Sequence, residues 1–335
     1  MTTYVWKRMN NRRKIIIGLG ASALTAPFGS FAQQRGKIWR IGFLGASTAD
    51  GFARPIDSLR AGLRDLGYIE GKNIVFEWRF AEGDYKRLPG LAAELARPGM
   101  DVIVTYGTPG TQAAKQATTI VPIVMAAIGD AIAVGVVSDL ARPGGNITGT
   151  TFFNPELAAK RLEIIRDAIP RARRVAILLN PLNPLTEPIL KALRPTANAL
   201  KLELQQFSAR VSGELEGAFA SMAAKGMDAV ATSEDSMIIA SANRIAELSL
   251  KRRIPLFGFP DLADAGALLG YGVNFPELFR RAAHFVDKIF KGTKPGDLPV
   301  EQWNRYEIIV NLKTARMLGI KLPDLVLQRA DRIIE

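Results

Sequence analysis

The sequence predicts an α/β protein of two doubly wound parallel-sheet lobes joined by a hinge. Three observations support this fold class. From residue 38 onward, short apolar segments of strand length alternate with segments of helical spacing. The alternation runs twice, because a segment rich in Pro, Gly, Asn and Thr at 143–154 separates two successive sets of such units. The chain has 335 residues, which is enough for two cores at roughly 100–200 residues per domain.

The first set of units extends to residue 152. IWRIGFLGA at 38–46 is a short apolar run that ends near Gly45, which is typical of a buried strand. Apolar residues then recur at helical spacing over 53–66, and Gly67 ends this helix. The later elements are strand 73–83, helix 84–97, strand 100–107, a helix over 109–117, strand 121–130, a short helix over 131–142 and strand 146–152.

The second set begins at residue 154. Its elements are helix 154–168, strand 173–180, helix 185–199, strand 202–209, helix 212–225, strand 227–235, helix 236–252 and strands 254–260 and 267–274. A helix at 275–291, a loop at 292–297, a strand at 306–311 and short helices complete the chain. Helices between successive strands predict parallel pairing, with helices on both faces of each sheet.

The first 32 residues have the layout of a secretory signal peptide. Residues 1–14 are basic, residues 15–31 are uncharged and largely apolar, and small residues precede a cleavage site after Ala32. An uncleaved membrane anchor is the alternative, but the apolar run is shorter than the roughly 20 strongly apolar residues that a span needs. Arg12-Arg13 resembles a twin-arginine signal, so the Sec and twin-arginine routes both stay open. We expect the mature chain to be soluble and periplasmic.

The net charge of +12 does not indicate a nucleic-acid partner. The chain has 44 Lys and Arg against 32 Asp and Glu, but five of the basic residues lie in the first 32 residues, which contain no acid. The remaining surplus is scattered, and no nucleic-acid-binding motif accompanies it.

Composition also excludes several kinds of catalytic site. Cysteine is absent and His284 is the single histidine, so disulfides, thiolate zinc sites, cysteine nucleophiles and multi-histidine metal sites are excluded. His284 falls within a predicted helix away from any strand end, where a surface or packing role is expected. No P-loop, His-Glu-x-x-His, Gly-x-Ser-x-Gly or Ser-x-x-Lys motif is present. We therefore predict no catalytic residue, no metal and no cofactor.

The carboxyl ends of the predicted strands carry the candidate ligand-binding residues, because ligands of parallel sheets bind beyond those ends. Ser47, Thr48 and Thr108 would lie at helix N-termini, where backbone N–H groups favour an anion such as a carboxylate, and Gly107 precedes Thr108. Helix capping is the alternative role for each hydroxyl.

Acids and aromatic residues at other strand ends suit the rest of a small polar ligand. Asp130, Glu234 and Asp235 could receive an amine, although capping or solvation is the alternative for each. The aromatic residues at these ends could stack on a ring or belong to the core. The aromatic candidates are Tyr106, Phe153, Phe259 and Tyr271. Asn180, at a further strand end, is also a candidate ligand-binding residue.

Several segments resemble one known family, the ABC-transporter substrate-binding proteins that include tryptophan/tyrosine-type binders and have the type I periplasmic-binding fold. The segments are RIGFLGAST (40–48), GLRDLGYIEGKNIVFEWRFAEG (62–83), DVIVTYGTPGTQAAKQATTIVPIV (101–124), VSDLARPGGNITG (137–149), RRAAHFVDKIFKGTKPGDLPVEQ (280–302) and YEIIVNLKTARMLGIKLPDLVLQRADRIIE (306–335). Together they span nearly the whole mature chain. This sequence departs from the family at Gly129-Asp130-Ala131, where relatives often have Asp-Pro.

The resemblance implies two lobes that close on one ligand, with the chain crossing between them three times. One lobe would comprise 38–149 plus 276–300, and the other 150–275 plus 301–335. The resemblance further implies delivery of the ligand to an ABC permease in the inner membrane, a monomeric protein and no catalysis. An aromatic or another amino acid is the expected ligand.

Two alternatives to an ABC solute-binding protein stay open at this point. An exported enzyme on the same fold would need an acid/base pair, for which Asp130 with Glu234 or Asp235 is the candidate set. A ligand sensor linked to a membrane receptor would use the same cleft, and the sequence does not distinguish sensing from transport.

Overall fold

The computed structural model of the protein describes residues 37–335. The predicted signal peptide at 1–32 lies outside this range. Among the described residues, no helix is both long and apolar enough to cross a membrane.

The described residues form strands and helices in regular alternation. The strands are β1 (Trp39–Gly45), β2 (Ile74–Phe80), β3 (Val102–Tyr106), β4 (Ile123–Ile128), β5 (Ile147–Thr151), β6 (Arg174–Leu179), β7 (Glu203–Ser208), β8 (Ala229–Thr232), β9 (Leu256–Gly258), β10 (Leu269–Gly272), β11 (Glu301–Gln302), β12 (Glu307–Asn311) and β13 (Arg332–Ile334). The helices are α1 (Ala53–Asp65), α2 (Leu88–Leu95), α3 (Thr108–Ala117), α4 (Asn154–Ala168), α5 (Thr186–Ala199), α6 (Leu215–Ala224), α7 (Ser236–Ala240), α8 (Ala242–Lys251), α9 (Pro260–Asp264), α10 (Phe275–Phe290), α11 (Leu312–Leu318) and α12 (Asp324–Gln328).

Within residues 37–335, the strands form two sheets, one in each lobe. The first has the order β11-β5-β4-β3-β1-β2 and the second β13-β12-β10-β9-β8-β6-β7. Neighbouring strands are parallel in both sheets, except that β10 and β12 are antiparallel. The predicted fold class of two doubly wound α/β lobes is thereby confirmed.

Apolar residues cover both faces of each sheet. In the first lobe, Phe43 and Val104 pack with Leu59 of α1 and Phe279 of α10, whereas Leu44 and Ile103 face α2 and α3. The second lobe likewise has one buried cluster on each face of its sheet. Strands buried on both faces are continuous apolar runs, which is why the sequence locates them well.

Two predicted helices differ from the structure. The helix predicted over 131–142 is wrong, because the segment forms turns in which Asp130 and Asp139 accept backbone N–H groups two and three residues further on. Gly135 in this segment has a φ of +66°, which a helix does not allow. The single helix predicted over 236–252 is divided at Ser241, whose N–H is shared between the carbonyls of Met237 and Ile238.

The described chain passes between the two sheets three times. The connections are residues 152–153 between β5 and α4, 273–274 between β10 and α10, and 303–306 between β11 and β12. Glu301 and Gln302, which the predicted bounds assign to the second lobe, pair with Thr150 and Thr151 in the first sheet. The same bounds assign Thr150 and Thr151 to the second lobe, but these two residues end β5 of the first sheet.

Candidate ligand-binding site

The carboxyl ends of the two sheets meet across a cleft, and the two lobes are in contact there. The hydroxyl of Tyr85, from the first lobe, donates a hydrogen bond of 2.8 Å to Oδ2 of Asp235 in the second. A Cβ added at Gly107 would lie 2.5 Å from the Ser236 hydroxyl, and one added at Gly51 would lie 2.5 Å from the Cβ of Ala240. The structure therefore shows the lobes closed on one another.

The buried polar atoms that lack a hydrogen-bond partner among the described residues include three at this cleft. They are the Tyr106 hydroxyl, the Thr108 hydroxyl and Oδ1 of Asn154, which we call the unpaired cleft groups. Their residues are at most 2% exposed. Buried polar atoms normally find a partner, and leaving one unsatisfied costs about 1–3 kcal/mol. Three such atoms at one cleft indicate groups that a ligand would satisfy.

Two of the unpaired cleft groups lie at the N-terminus of α3. No side chain of the described residues caps this ten-residue helix, and its N-cap position is Gly107 with a φ of +69°. Burial raises the pKa of Tyr106 well above its ordinary value, while the neighbouring Ser47 N–H opposes the rise and the Asp235 carboxylate adds to it. Tyr106 is therefore a neutral hydroxyl at neutral pH, able to donate to an anion beside a positive helix end.

Asn154, the third unpaired cleft group, presents an acceptor rather than a donor. Its Nδ2 donates to the Glu234 carbonyl at 3.4 Å, which leaves Oδ1 as the unpaired atom. Asn154 begins α4 directly after the first interlobe connection, and its backbone N–H binds the Gly129 carbonyl at the end of β4. A donor on a ligand, such as an ammonium group, would satisfy this oxygen.

Asp235 is saturated by the protein itself. Its carboxylate accepts from the Tyr85 hydroxyl, the side chains of Asn183 (2.9 Å) and Asn180 (3.3 Å), and the Met237 and Ile238 N–H groups of α7. Burial raises the pKa of Asp235, and these hydrogen bonds act in the opposite direction. The structure thus favours the capping alternative for Asp235 over receipt of an amine.

Glu234 is likewise engaged, in a buried ion pair with Arg161. Both carboxylate oxygens accept from the guanidinium, one of them at 3.0 Å, and the two side chains are 1% and 0% exposed. The remaining Arg161 N–H groups donate to the Tyr271 carbonyl at 2.9 and 2.6 Å and to the Thr232 carbonyl at 3.1 Å. All five N–H donors of Arg161 are therefore used, and Glu234 is not free to bind a ligand.

Asp130 retains one carboxylate oxygen without a hydrogen bond from the described residues. Its Oδ1 accepts from the Ile132 and Ala133 N–H groups at 3.0 and 2.9 Å. The residue is 8% exposed at the end of β4. Next to it, Gly129 faces Leu185 of the second lobe. Of the three acids expected to receive an amine, Asp130 is the one with unused acceptor capacity.

The other predicted residues divide between the cleft and the core. Ser47 is buried beside Tyr106, and Asn180 donates to Asp235. Thr48 accepts the Gly51 N–H at 3.2 Å, a hydrogen bond within its own turn. Phe153 is partly exposed in the first connection.

Phe259 and Tyr271 do not lie among the unpaired cleft groups. Phe259 is fully buried in a core cluster of the second lobe, with its ring 6.4 Å from that of Phe275. The Tyr271 ring packs on Tyr306 at 6.0 Å, because β10 pairs antiparallel with β12 and this places the aromatic residue against the third connection. Both rings pack against neighbouring aromatic residues, and a role of either in ligand binding stays a prediction.

Sequence reasoning missed four residues of this cleft: Tyr85, Asn154, Arg161 and Asn183. Tyr85 follows β2, and the predicted bounds place it in helix 84–97 rather than at a strand end. Arg161 has a detectable signal, since it occupies the apolar stripe of α4 formed by Leu157, Ala158, Leu162 and Ile165. A charged residue at such a position requires a buried partner.

The Tyr85 hydroxyl provides a direct test of the closed arrangement. Tyr85→Phe removes one buried hydrogen bond between the lobes, and we expect it to destabilise the closed form by about 1 kcal/mol. The expected result is a roughly fivefold weaker ligand affinity in calorimetry. Tyr68→Phe, which removes a hydroxyl bonded to Asp287 within the first lobe, is the control and should leave affinity unchanged. Equal affinities of the Tyr85→Phe and Tyr68→Phe variants would contradict a role of the Tyr85–Asp235 hydrogen bond in the closed form.

A second cavity, of about 740 Å³, lies where the lobes meet near residue 274. Arg54 lines it from the first lobe opposite Asp261 and Asp264, at 3.5 and 3.7 Å. Burial raises the pKa of Asp261. Arg54 is 71% exposed, so these ion pairs contribute little, and none of the unpaired cleft groups lines this cavity. We therefore place the candidate site at the strand ends. The described residues contain no group of acids and histidines arranged to hold a metal ion.

Comparison with known proteins agrees with this architecture. The family model of ABC transporter substrate binding proteins matches residues 46–334. The chain belongs to this family. Its fold of two parallel-sheet α/β lobes agrees with the fold of solved substrate-binding proteins.

Individual relatives cover most of the chain. A tyrosine-binding protein of Clostridioides difficile is 27% identical over 260 residues, which are 77% of this chain and 74% of the relative. A conserved domain protein from Vibrio cholerae has a TM-score of 0.83 at 25% identity, covering 89% of this chain and all of that one. An ABC domain from Streptococcus pneumoniae in complex with L-Trp has a TM-score of 0.80 at 25% identity, covering 88% of this chain and all of that one.

Proposed function

We propose that this protein is the exported substrate-binding protein of an ABC importer and captures an aromatic amino acid between its two lobes. The observation that carries the proposal is the set of unpaired cleft groups at the carboxyl ends of both sheets. Membership of the substrate-binding family supports it, as do relatives that are named for tyrosine or hold L-Trp.

The chemistry of the cleft suits an α-amino acid zwitterion. Two hydroxyls, from Tyr106 and Thr108, stand at the uncapped N-terminus of α3 with Ser47 beside them and would bind the carboxylate. Oδ1 of Asn154 and the unused oxygen of Asp130 would accept from the ammonium. Phe153, partly exposed at the first connection, is the aromatic residue that we assign to the ligand side chain.

Capture would proceed by closure about the three connections at 152–153, 273–274 and 303–306. Short multiple connections between two lobes are typical of hinge closure around a ligand. The lobes that move would be the two sheets with their helices, as bounded above. Delivery to a permease in the inner membrane would follow, with the protein acting as a monomer.

Ligand identity is tested with residues 33–335, unfolded and refolded to remove carried-over ligand. We expect L-tryptophan or L-tyrosine to raise the melting temperature in a panel of amino acids, purines, sugars and aromatic acids. A ligand at 100 times its Kd adds about 2.7 kcal/mol of stability. A shift with a different class of compound would contradict the aromatic ligand, and turnover of a panel member would favour an exported enzyme.

Asp130→Asn tests the ammonium contact. The asparagine keeps an oxygen for the Ile132 and Ala133 N–H groups, removes the negative charge and replaces the unused oxygen with an NH2 donor. We expect calorimetry with L-tryptophan to show about tenfold weaker binding, because hydrogen bonds to charged groups contribute about 1.5–3 kcal/mol. Asp139→Asn is the matched control, since Asp139 makes the same kind of turn with Ala141 and Arg142 on an exposed loop. Unchanged affinity of Asp130→Asn would exclude this contact.

The export step is tested on the full chain. We expect a mature protein in the periplasm that begins at Gln33, as N-terminal sequencing would show. Replacement of Arg12 and Arg13 by lysine distinguishes the routes, because only the twin-arginine route requires the arginine pair. Retention of residues 1–32 on a membrane-bound protein would instead favour the anchor.

A further inference from the structure

The buried Arg161–Glu234 pair lies between the proposed ligand site and the connections that join the lobes. Glu234 precedes Asp235, which caps α7 and accepts the cross-lobe bond from Tyr85. Arg161 belongs to α4, the helix that begins directly after the first connection. The guanidinium also binds the Tyr271 carbonyl, two residues before the second connection.

The contacts around this pair allow little independent movement. Arg161 joins three elements at once: α4, the end of β8 through the Thr232 carbonyl, and the end of β10 through the Tyr271 carbonyl. A Cβ added at Gly272 would lie 3.0 Å from both Nη2 of Arg161 and Oε1 of Glu234, so the backbone of β10 packs directly on the ion pair. The Glu234 carbonyl accepts from Nδ2 of Asn154, the residue whose Oδ1 is one of the unpaired cleft groups.

A purely stabilising role explains this arrangement poorly. Removing two charges from water costs as much as their attraction returns, so apolar residues of similar volume often stabilise a core equally well. The guanidinium instead supplies five directed donors, which fix the positions of three separate backbone or side-chain groups. These directed hydrogen bonds fix the position of the Glu234–Asp235 segment relative to two interlobe connections.

We propose that Arg161 is a positioning residue that couples segment 232–235, at the end of β8 beside the cleft, to the first and second interlobe connections. This inference rests on the ligand-binding function proposed above and adds to it a residue that does not touch the ligand. When Arg161 holds the segment, Asp235 is placed to accept the Tyr85 hydroxyl and Asn154 is placed at the cleft in the same conformation. Without the Arg161 side chain, segment 232–235 and the two connections move separately. Ligand contact at the cleft then no longer leads to closure of the lobes.

The test is the double variant Arg161→Met/Glu234→Leu, which removes both charges and fills the space with apolar side chains. We expect it to melt close to the wild type, because neither buried charge is left unpaired. We also expect binding of L-tryptophan or L-tyrosine to weaken at least tenfold, through faster dissociation. The control is Arg244→Met/Glu216→Leu, which removes a surface ion pair of the same kind on α6 and α8.

The interlobe distance provides a readout that needs no ligand. Because the chain contains no cysteine, Ala93→Cys on α2 and Lys191→Cys on α5 can be spin-labelled selectively, and both positions are exposed. Without ligand, we expect the Arg161→Met/Glu234→Leu variant to show a broader distance distribution with a longer mean than the wild type. Failure of the wild type to bind any amino acid would refute the proposed ligand, but this distance comparison would still test the coupling.

The coupling is refuted if the double variant folds, keeps the wild-type distance distribution and binds within twofold of the wild type. Arg161→Lys is the second variant, to be used if the double variant does not fold. Lysine keeps the charge opposite Glu234 but lacks the planar fork that reaches both carbonyls. A broadened distance distribution in a folded Arg161→Lys protein supports the coupling, and a wild-type distribution refutes it.

Discussion

Arg161→Met alone is expected to lower the free energy of unfolding by about 3–5 kcal/mol, the largest effect of any single substitution considered for this protein. The change leaves the Glu234 carboxylate, which is 0% exposed, without its cation. It also leaves the Thr232 and Tyr271 carbonyls without the donors that they have in the wild type. Urea denaturation followed by circular dichroism at neutral pH measures the effect.

Arg244→Met is the control for this prediction. Arg244 pairs with Glu216 at 2.6 Å and with Glu247 at 2.9 Å, but these side chains are 41–62% exposed. Exposed pairs of this kind contribute about 0–1 kcal/mol. If the two variants lose similar stability, burial of the Arg161–Glu234 pair is not what makes it important. If Arg161→Met loses the expected ~3–5 kcal/mol of unfolding free energy and Arg161→Met/Glu234→Leu does not, the unpaired Glu234 carboxylate is the cause of the loss.

Gly51→Ala is expected to raise the Kd for the ligand about thirtyfold without unfolding either lobe. Gly51 lies in a single turn of first-lobe helix, Asp50–Phe52, and an added Cβ would meet the Cβ of Ala240 at 2.5 Å and its Cα at 3.0 Å. Ala240 belongs to the second lobe, so the collision exists only when the lobes are closed. Overpacking costs about 1–3 kcal/mol, and about 2 kcal/mol corresponds to a thirtyfold change in affinity.

Gly90→Ala controls for the substitution itself. Gly90 lies in α2 of the same lobe with no atom within 4 Å of an added Cβ. The Gly90→Ala variant should bind L-tryptophan with the affinity of the wild type. Spin-label distances should lengthen for Gly51→Ala in the presence of ligand, and not for Gly90→Ala. Wild-type affinity of Gly51→Ala would mean that the ligand is bound in an arrangement of the lobes other than the one described.

The strand ends were the best sequence guide to the site, but they located positions rather than roles. Tyr106 ends β3 and Thr108 begins α3 two residues later, and both hydroxyls are unpaired and buried at the cleft. Glu234 and Asp235 also follow a strand, yet both are saturated by the protein. A strand end brings a residue to the cleft, whereas its remaining capacity to bind a ligand depends on partners from elsewhere in the chain.

The helix prediction was wrong where aspartate side chains bind the backbone N–H groups that a helix would use. The segment 131–142 has a suitable length for a helix, but Asp130 and Asp139 bind nearby backbone N–H groups and stabilise turns instead. β12 was predicted as a strand but not as an antiparallel one. Its direction follows from the third interlobe connection at 303–306, which a pattern of apolar residues does not encode.

By itself, the sequence determined the order of the longer strands and helices, because buried parallel strands and amphipathic helices differ in the period of their apolar residues. It also determined the family, through segments spread over nearly the whole chain. Only the tertiary structure decided which polar groups are paired. Arg161 and Glu234 are 73 residues apart, and Tyr85 and Asp235 are 150 apart. The first pair meets only when the second lobe folds, and the second pair meets only when the two lobes pack together.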